Sequence, residues 1–503
     1  MDVPAVKFRS LSLAAALGLT ALSGCAVGPD FKHPDPKVPA AWPSAATLPA
    51  AARASTVSTQ PAAIASWWST FNDATLTSLI ERSTTEGLDV REAVLRIAEA
   101  RAARDLATAD FWPALTANTS FTRQRLSLNT PNGALIGSIG RVPNLPPGLS
   151  IPNPYSQYQL GLSASWELDL FGRVRRSVEA ADADWLASVE AGRDVRVSLA
   201  SEVARAYMDL RATQLRRRIV TDSLATQREL ADLTRQRRDA GLTTDLDVAD
   251  AAAQVDASQA QLPLIERQLT EDVNELSRLM GREPGALSAE LTAVQPLPSE
   301  PPVVPIGLPA DLVRRRPDIR RAEASLHAAT ARVGVAVADF FPRLTLGAQG
   351  GFQSQALSAL VRTASRFGTA GPVLEVPIFE GNRLRATLRV EDVRAQEAAI
   401  DYARTVLGAL HEVDNALVAY GADQDRRVSL ESAVANGRDA LRLARQRYAS
   451  GVTNFVEVLD AERTLQQNEL ALADATEAVA TDLVLLYKTL GGGWQEAQAS
   501  GTP

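Results

Sequence analysis

The sequence predicts a mainly α-helical chain with a β-sheet of the membrane-spanning kind, built from one helix–strand–strand–helix–helix unit that occurs twice. The duplication is visible as QRRDAGLTTDLDVAD at 236–250 and QRYASGVTNFVEVLD at 446–460, where Gly241 and Gly451 are 451 − 241 = 210 residues apart. Other long stretches have helical periodicity without a break, and four shorter stretches alternate between polar and apolar residues. Together these observations predict long helices joined to a small set of amphipathic strands.

The composition favours long helices and argues against several functional classes. The 503 residues include three His and one Cys, aromatic residues are 5% of the chain, and the net charge is −7. A negative net charge argues against a nucleic-acid-binding protein, which would need a basic surface. The three histidines are scattered and have no cysteine partners, so no metal site is predicted. The sequence has neither a nucleophile elbow nor a phosphate-binding glycine loop, so an enzyme is not expected.

The N-terminus carries an export signal. Two basic residues precede an apolar run at 11–22, which is too short to span a bilayer, so residues 1–24 are predicted to be a secretory signal peptide. The run ends in Leu-Ser-Gly-Cys, which resembles the lipobox of bacterial lipoproteins and makes Cys25 the expected site of lipid attachment, palmitate included. An ordinary signal with an incidental cysteine is the alternative. The following Ala26 implies sorting to the outer membrane, and apart from the lipid no cofactor is expected.

Strand signals follow an extended, lipid-anchored, Pro- and Ala-rich segment at 25–72 and a helical pattern at 73–110 that ends at an aromatic-Pro junction. The strands of the first repeat, 73–281, are expected at about 113–170. Residues 157–170 alternate without a break, and this stretch is longer than the usual strand of a soluble protein.

The second repeat, 309–490, shows the same order of signals. Its first helix is expected at 309–339, and ADFFPRLT at 338–345 repeats the ADFWPALT that ends the first helical pattern. Alternating residues at about 342–380 predict its two strands, the second of which runs through 370–378.

The longest helical patterns follow the strands. They span about 178–240 and 384–450, and at roughly 60 residues or about 90 Å neither fits inside a compact globule. Shorter helices return after each tip at 245–280 and 455–489. In the first of these an apolar residue recurs every seven positions, which indicates a coiled-coil seam, at Val255, Leu262, Leu269 and Leu276.

Three further features complete the organisation. Pro263 lies within the first return helix and is expected to kink it, whereas its repeat partner Ala473 is not. A Pro-rich linker at 282–308 joins the two repeats, and residues 491–503 form a C-terminal tail.

Each tip between a long helix and its return helix has the residues of a tight turn. Gly241 and Gly451 suit the left-handed residue that ends a helix. In both tips a capping residue and an acid three positions later come close to a capping box, Thr244 with Asp247 and Asn454 with Glu457. Hairpin tips of this kind are where long helical proteins meet their partners.

Four long amphipathic strands fit a transmembrane sheet of the outer-membrane kind, and a soluble sheet packed on helices is the alternative. No stretch after the signal has eighteen uninterrupted apolar residues, so a membrane would be crossed by strands.

Four strands cannot close a barrel, and an open edge in hydrocarbon leaves backbone groups unpaired at several kcal/mol each. If the strands span the membrane, several copies must therefore pool their strands and helices, and a barrel that continues into a helical tube is the natural arrangement. A soluble periplasmic coiled-coil scaffold is the alternative class, but it leaves the strands unexplained.

Six segments carry a resemblance to a known family: CAVGPDF at 25–31, WWSTFND at 67–73, RRRPDIRRAEASL at 314–326, ADFFPRLTL at 338–346, PIFEGNRLRA at 377–386 and QRYASGVTNFVEVLDAERTL at 446–465. With these motifs the chain resembles the TolC-type outer membrane efflux proteins over nearly all of its mature length, and most closely their OprM/NodT-like lipoprotein branch. The resemblance implies a homotrimer in which each chain gives four strands to a 12-stranded barrel and its helices to a long periplasmic α-helical barrel.

The same resemblance implies a function. The trimer would be the lipid-anchored exit duct in the outer membrane of a Gram-negative bacterium, opened at its periplasmic tip by a periplasmic adaptor and an inner-membrane pump of the resistance–nodulation–division (RND) class. Drugs or other small toxic compounds would leave the cell through it, as in multidrug resistance. Heavy-metal efflux and type I protein secretion are the alternatives within the family, and the lipobox favours the efflux lipoproteins. The sequence does not specify the substrate.

Three tip residues take gating roles from the resemblance. Val456 and Asp460 fall on positions that resemble the family's closing constriction, an apolar ring and an acidic ring, and Glu457 on a second acidic position found in some members. Three Asp460 carboxylates brought together would attract cations and raise one another's pKa, so closure is expected to depend on pH and divalent cations. Stabilisation of the helix N-terminus is the alternative role of Glu457.

Asp247 and Tyr448 resemble a pair that ties the two hairpins together in closed channels of the family, and Thr453 stands where several relatives have an arginine. Helix capping by Asp247 and simple packing of Tyr448 are the alternatives. The adaptor is expected to contact this end of the chain through its own hairpin tips, at Gly241, Thr244, Gly451, Thr453 and Asn454. The two glycines would also serve as helix stops.

Overall fold

The structure is a computed structural model, and it describes residues 26–44, 56–60, 64–139 and 152–495. In chain order these residues form β1 Thr56–Ser58, α1 Ala74–Glu86, α2 Leu88–Ala109, β2 Ala114–Gln124, α3 Pro131–Ile139, β3 Tyr155–Leu168, α4 Arg173–Asp239, α5 Asp245–Leu279, α6 Ser288–Leu291, β4 Val303–Pro305, α7 Pro309–Arg315, α8 Pro317–Ala338, β5 Arg343–Ser354, β6 Arg366–Glu375, α9 Arg383–Ala449 and α10 Phe455–Thr489. The described residues divide into two units, the first with those within 26–32, 100–185 and 325–398 and the second with those within 33–99, 186–324 and 399–495. No helix in the described ranges combines the length and the apolar character needed to cross a membrane.

The first unit contains a four-stranded antiparallel sheet with the order β2–β3–β5–β6. In its register, Leu162 of β3 lies opposite Ala117 of β2 and Gly350 of β5. The strands of the first repeat lie within the expected range 113–170, and those of the second within 342–380. Among the described residues β2 and β6 are the edge strands, each paired on one side only.

The last strand is shorter than the alternation predicts. β6 ends at Glu375, so Val376 and Ile378 lie outside the sheet. Pro377 accounts for this end, because proline has no N–H to donate to a strand ladder. Pro372 is tolerated inside β6 because that strand is at an edge.

Two segments that were each expected to form one helix are divided. The first, 73–110, breaks between α1 and α2 at Gly87, whose ψ of 144° lies outside the helical range. The second, 309–339, breaks between α7 and α8 at Arg316, which has φ −67° and ψ 127°. Pro317 causes this second break, because proline disfavours the helical conformation in the residue before it.

The long helices and their return helices repeat almost residue by residue. α4 and α9 have 67 residues each, and α5 and α10 have 35 each. The starts of α4 and α9 are 383 − 173 = 210 residues apart, and those of α5 and α10 are 455 − 245 = 210 residues apart. Both long helices exceed the expected length of roughly 60 residues, and α4 begins five residues before the expected position 178.

The coiled-coil seam of α5 shows in its burial. The four predicted heptad residues are buried or half-buried. A second buried or half-buried row has the same spacing, at Ala251, Ser258, Ile265 and Asp272. Two such rows, three and four positions apart, are the pattern of a coiled-coil interface. α5 continues through Pro263 as one helix, and a kink there stays a prediction.

The linker between the repeats is bound to the second unit. β4 pairs in parallel with β1, so the linker and the N-terminal segment share a small sheet. Glu300 of the linker forms a buried ion pair with Arg427 of α9, with nitrogen and oxygen 2.8 Å apart. Arg211 of α4 is 1% exposed and donates to the carbonyl of Ala293 at 2.8 Å. These bonds fix the linker against both long helices.

Candidate functional site

Both tips end their long helix with a left-handed glycine, as the sequence predicts. Gly241 has a φ of 73° and Gly451 a φ of 77°. In each tip the residue after the glycine donates its N–H to the carbonyl five positions back, at 2.8 Å in the first tip and 2.9 Å in the second. This bond satisfies a carbonyl that the end of the helix would otherwise leave free.

The return helices begin differently in the two tips. The Thr244 hydroxyl accepts from the Asp247 N–H at 3.3 Å and the Asp247 carboxylate accepts from the Thr244 N–H at 3.2 Å, which completes a capping box. In the second tip the Asn454 side chain accepts from the Glu457 N–H at 3.3 Å. Only this first half of a capping box forms there. The Asp247 carboxylate therefore caps a helix, whereas the Glu457 carboxylate does not.

A small apolar cluster, here named the tip core, lies next to the two turns and contains Leu230, Ala231, Ala251, Leu441, Tyr448, Phe455 and Val458. Its members come from α4, α5, α9 and α10. The rings of Tyr448 and Phe455 meet edge to face with their centroids 5.8 Å apart. The tip core therefore holds the two hairpins of one chain together.

Arg237 is a tip residue that sequence reasoning missed. Its guanidinium lies over the Tyr448 ring, 4.6 Å from the centroid, and donates to the carbonyl of Tyr448 at 2.9 Å and to that of Ala449 at 3.3 Å. A cation at a helix C-terminus satisfies free carbonyls and the negative end of the helix dipole. The contact joins α4 to the end of α9, and no local sequence signal could have revealed it.

The three residues predicted for the constriction share one exposed face of α10. Val456 is 55% exposed, and Glu457 and Asp460 are also exposed. Residues three and four positions apart lie on one face of a helix. Their neighbours Phe455 and Val458 point into the tip core instead. The predicted constriction residues are therefore free to face solvent or other copies of the chain.

The predicted latch pair, Asp247 and Tyr448, has other contacts in this chain. Tyr448 is 2% exposed, and its hydroxyl has no hydrogen-bond partner among the residues that the structure describes. The Asp247 carboxylate accepts from the hydroxyls of Thr243 and Thr244. Desolvation opposes ionisation of Asp247, but these hydrogen bonds outweigh it and lower the pKa of Asp247. The contacts support packing for Tyr448 and capping for Asp247, and the latch stays a prediction.

The tip turns are open and carry exposed apolar side chains. A Cβ added at Gly241 or Gly451 would meet nothing within 4 Å. Leu242, Leu246 and Val452 are 66%, 68% and 67% exposed. Sequence reasoning did not single out these three residues, although Leu242 and Val452 stand at matched positions of the repeat. All three lie at or directly after the turns, where a partner could contact them.

The remaining predicted residues lie in different surroundings. Thr244 and Asn454 are exposed at the tips, and Thr453 is half-buried. Cys25 and the predicted signal segment 1–24 lie outside the described residues. Within the described ranges, no group of three or more His, Cys, Asp or Glu side chains is arranged to hold a metal ion.

Buried and half-buried carboxyl groups lie along the return helix α10 beyond the tip core. Glu462 is 3% exposed and faces Arg445 of α9 and Gln227 of α4. Burial raises the pKa of Glu462 to about 7, against the attraction of Arg445. Burial likewise raises the pKa of Glu477 to about 7, and burial together with the neighbouring Asp423 raises that of Asp482. Sequence reasoning missed these acids because their spacing does not distinguish them from acids on a solvated face.

The comparison with known proteins decides the family. The profile described as outer membrane efflux protein matches residues 79–282 and 308–492. The chain belongs to the outer membrane efflux protein family. This efflux protein is 33% identical over 484 residues to the probable efflux pump outer membrane protein TtgC of Pseudomonas putida, with 96% of each chain covered. It is also 33% identical over 500 residues to the outer membrane protein OprJ of Pseudomonas aeruginosa, with 99% of this chain and 98% of OprJ covered.

Solved structures give the same fold. The outer-membrane channel OprN matches this efflux protein with a TM-score of 0.82 and 36% identity, over 94% of this chain and all of OprN (100%). The outer membrane protein VceC of Vibrio cholerae matches with a TM-score of 0.75 and 27% identity, over 86% of this chain and 99% of VceC. The efflux protein is therefore an outer membrane component of an efflux system, in a family of channels and not of enzymes.

Proposed function

We propose that three copies of this efflux protein assemble into the exit duct of a tripartite efflux system. Three four-stranded sheets would close one 12-stranded barrel, with the edge strand β2 of one copy paired to β6 of the next. The two unpaired edges carry this proposal, because each free backbone group in hydrocarbon costs several kcal/mol. Every residue of β2 is exposed in the single chain, which leaves that strand available for pairing. The two long helices and the two return helices of each copy would form the periplasmic α-helical barrel.

The gate of this duct would lie at the second tip. Val456 and Asp460 share an exposed face of α10 with Glu457, so a threefold arrangement can turn an apolar ring and acidic rings toward the axis. Acidic rings attract cations and suppress anion entry. The exposed apolar side chains Leu242 and Val452 would provide the surface that receives the helical tips of the periplasmic adaptor.

The substrates would be drugs or other small toxic compounds, conducted passively from an inner-membrane RND pump. Relatives at 33% identity carry the names antibiotic efflux pump outer membrane protein ArpC and toluene efflux pump outer membrane protein TtgC, which supports this class. Lipid on Cys25 would anchor the N-terminus in the outer membrane, and no other cofactor is required. Incorporation of labelled palmitate into the wild type but not into Cys25→Ser tests the anchor.

The gate is tested by Asp460→Ala, with Asp250→Ala as the matched control at the corresponding position of the first repeat, since 460 − 250 = 210. The purified trimer with Asp460→Ala should conduct more in a planar bilayer and prefer cations less, because an acidic ring has been removed. The control should behave like the wild type. Unchanged conductance and selectivity would remove Asp460 from the gate, and equal changes in both variants would point to a general loosening of the tips.

Assembly is tested by cell fractionation and by migration in detergent gels with and without heating. The wild type should remain in the outer membrane fraction and migrate as a heat-sensitive oligomer of three chains. Recovery as a soluble monomer would contradict the duct and favour a periplasmic scaffold.

A further inference from the structure

Two adjoining cavities lie in the second unit, between α2, α4 and the residues that follow α10. Their volumes are about 650 and 580 Å³, and both are lined by Val90, Val94, Arg196, Trp494 and Gln495. Pockets that bind drug-sized molecules have volumes of about 300–1,000 Å³. Each cavity is therefore large enough for a small organic ligand, and neither is lined by a residue of the two tips.

The residues after α10 form one wall of the cavities because glycines turn the chain there. Gly491 and Gly493 have φ of 72° and 100°, a left-handed backbone that favours glycine. A Cβ at Gly493 would lie 3.2 Å from atoms of both Trp67 and Trp68, so glycine provides the room for this close approach. Gln495 stabilises the turn, because its Nε2 donates to the carbonyl of Gly491 at 3.1 Å and its Oε1 accepts from the N–H of Gly493 at 3.2 Å.

Trp494 is the aromatic residue that both cavities share. The guanidinium of Arg193 in α4 lies over its ring, 4.5 Å from the centroid, and that of Arg320 in α8 lies 5.4 Å from the centroid. Glu190 of α4 is 1% exposed and binds these two arginines at 2.6 and 2.8 Å. The ring is therefore fixed against α4 and α8 by contacts within the chain, and this wall is preorganised for a ligand.

A second wall is an apolar face of α2. Val90, Val94 and Ile97 follow one another at helical spacing, and Ile97 packs so closely on α4 that a Cβ at Gly192 would lie 2.8 Å from its Cδ1 atom. Val94 is 51% exposed, and Leu95, which lines the larger cavity, is 69% exposed. A ligand with an apolar body would remove these side chains from water, which is favourable.

Every ionisable side chain that lines the two cavities is an arginine, although the chain has a net charge of −7. Arg193 is paired with Glu190. The side chains of Arg91 and Arg196 form neither an ion pair nor a hydrogen bond with any residue that the structure describes, and both line the larger cavity. A guanidinium presents a planar set of N–H donors that matches the oxygens of an acid group. The charges of the cavities therefore favour an anionic ligand.

Two further donors beside the larger cavity lack a partner. The indole N–H groups of Trp68 and Trp494 are buried, and neither has a hydrogen-bond acceptor among the described residues. Trp68 is 7% exposed, and both tryptophans line this cavity. A buried N–H without an acceptor is destabilising, and a ligand that carries several acceptor oxygens can relieve this cost.

We propose that the residues lining these two cavities, named here the arginine groove, bind a small organic anion, a carboxylate or sulfonate on an apolar body. The acid group would be bound by Arg91 and Arg196, and the apolar body would lie against Trp494 and the exposed side chains of α2. Such a ligand would connect α2, α4 and the end of α10, so its binding would stabilise this part of the fold. The groove is formed within one chain and away from the tips, so it does not depend on the proposed duct or gate.

The test measures binding of octyl sulfonate, which stays ionised and has an apolar chain, to the purified full-length protein in nanodiscs of phosphatidylcholine. Isothermal titration calorimetry should show saturable binding, with empty nanodiscs as the control for partition into lipid. Octyl alcohol and octylammonium have the same chain and should bind at least about tenfold more weakly, because neither offers an acid group to the guanidinium groups. Equal affinity for the three compounds would overturn the anionic class of ligand.

Arginine variants test which side chains bind the acid group. Arg196→Gln and Arg91→Gln should each weaken octyl sulfonate binding about tenfold. Arg218→Gln is the matched control, because Arg218 is also an exposed arginine of α4 without an ion pair among the described residues, and it lines neither cavity. The control should bind like the wild type. Wild-type affinity in both groove variants would contradict the proposed role of these arginines.

Hydrogen exchange locates the bound ligand. Octyl sulfonate should slow exchange of backbone amides in residues 88–97 and 189–197, because binding to the folded groove opposes its opening. Saturable binding without slower exchange in these two segments would place the ligand elsewhere and overturn the site. Absence of saturable binding to the full-length protein would also overturn it, and would leave the groove to residues 496–503 or to a neighbouring copy of the chain.

Discussion

Replacing Glu462 with Gln is expected to flatten the pH dependence of stability at the two helical tips. Glu462 is 3% exposed, and burial raises its pKa from 4.5 to about 7 although Arg445 attracts the carboxylate. In the unfolded chain the same group titrates near its ordinary value. Between these two pKa values the folded tip holds a proton that the unfolded chain has lost.

The sign of the effect follows from proton linkage. Where the folded state binds more protons than the unfolded state, the free energy of unfolding falls as the pH rises. The contribution of Glu462 is therefore constant below about pH 4.5, declines through the window up to about pH 7 and is lost above it. The pKa difference of 7 − 4.5 = 2.5, at 1.36 kcal/mol per unit, corresponds to at most about 3–4 kcal/mol. Glutamine has the same shape and no charge, so the variant should lack this decline.

Hydrogen exchange of backbone amides in residues 441–466 reports the local stability of the tips. Protection against exchange, corrected for intrinsic exchange rates, would be compared at about pH 5.5, inside the window, and at about pH 8.5, above it. Glu477→Gln is the matched control, because burial also raises the pKa of Glu477 to about 7 but at a position 477 − 462 = 15 residues farther along α10. Parallel pH profiles for the wild type and Glu462→Gln would refute the reasoning.

Two further predictions concern packing and helix continuity. Phe455→Ala should cost about 3–5 kcal/mol of tip stability, because the ring is 2% exposed and packs on Tyr448, whereas Val456→Ala at a 55% exposed site should change it by less than about 0.5 kcal/mol. Exchange of the same tip peptides measures both, and equal effects would contradict the placement of Phe455 in the tip core. Pro263→Ala should raise the thermal stability of the protein, because proline inside a helix costs up to about 3 kcal/mol, and an unchanged melting temperature would show that α5 has adapted to it.

Much of the fold could be predicted because the sequence signals for the ends of helices occur twice, once in each repeat. The turn glycines, the capping residues and the aromatic-Pro junctions are local signals, and local chemistry determines where a helix starts and stops. The break before Pro317 had the same kind of signal, since proline restricts the residue that precedes it. The end of β6 before Pro377 did as well. In both cases the proline, and not the periodicity, determines where the element ends.

The interior of the tips could not be predicted, because it depends on contacts between segments far apart in sequence. Arg237 caps a helix that ends 449 − 237 = 212 residues later, and only the folded chain brings the two together. The raised pKa of Glu462 likewise requires burial by α4 and α9, which no pattern within α10 reveals. Tertiary context, rather than local propensity, determines both.

The two tips differ in how they use matched acids, and this difference bears on where a gate can lie. Asp247 accepts hydrogen bonds from Thr243 and Thr244, so moving its carboxylate would disrupt a capping box. Glu457 contributes only its backbone N–H to the cap, so its carboxylate can move or bind a cation without loosening the helix start. A gate needs side chains that a stable helix positions but that do not themselves stabilise that helix through a cap. The second tip meets this condition and the first does not, so the divergence of the repeat supports the proposal that α10 is the gating element.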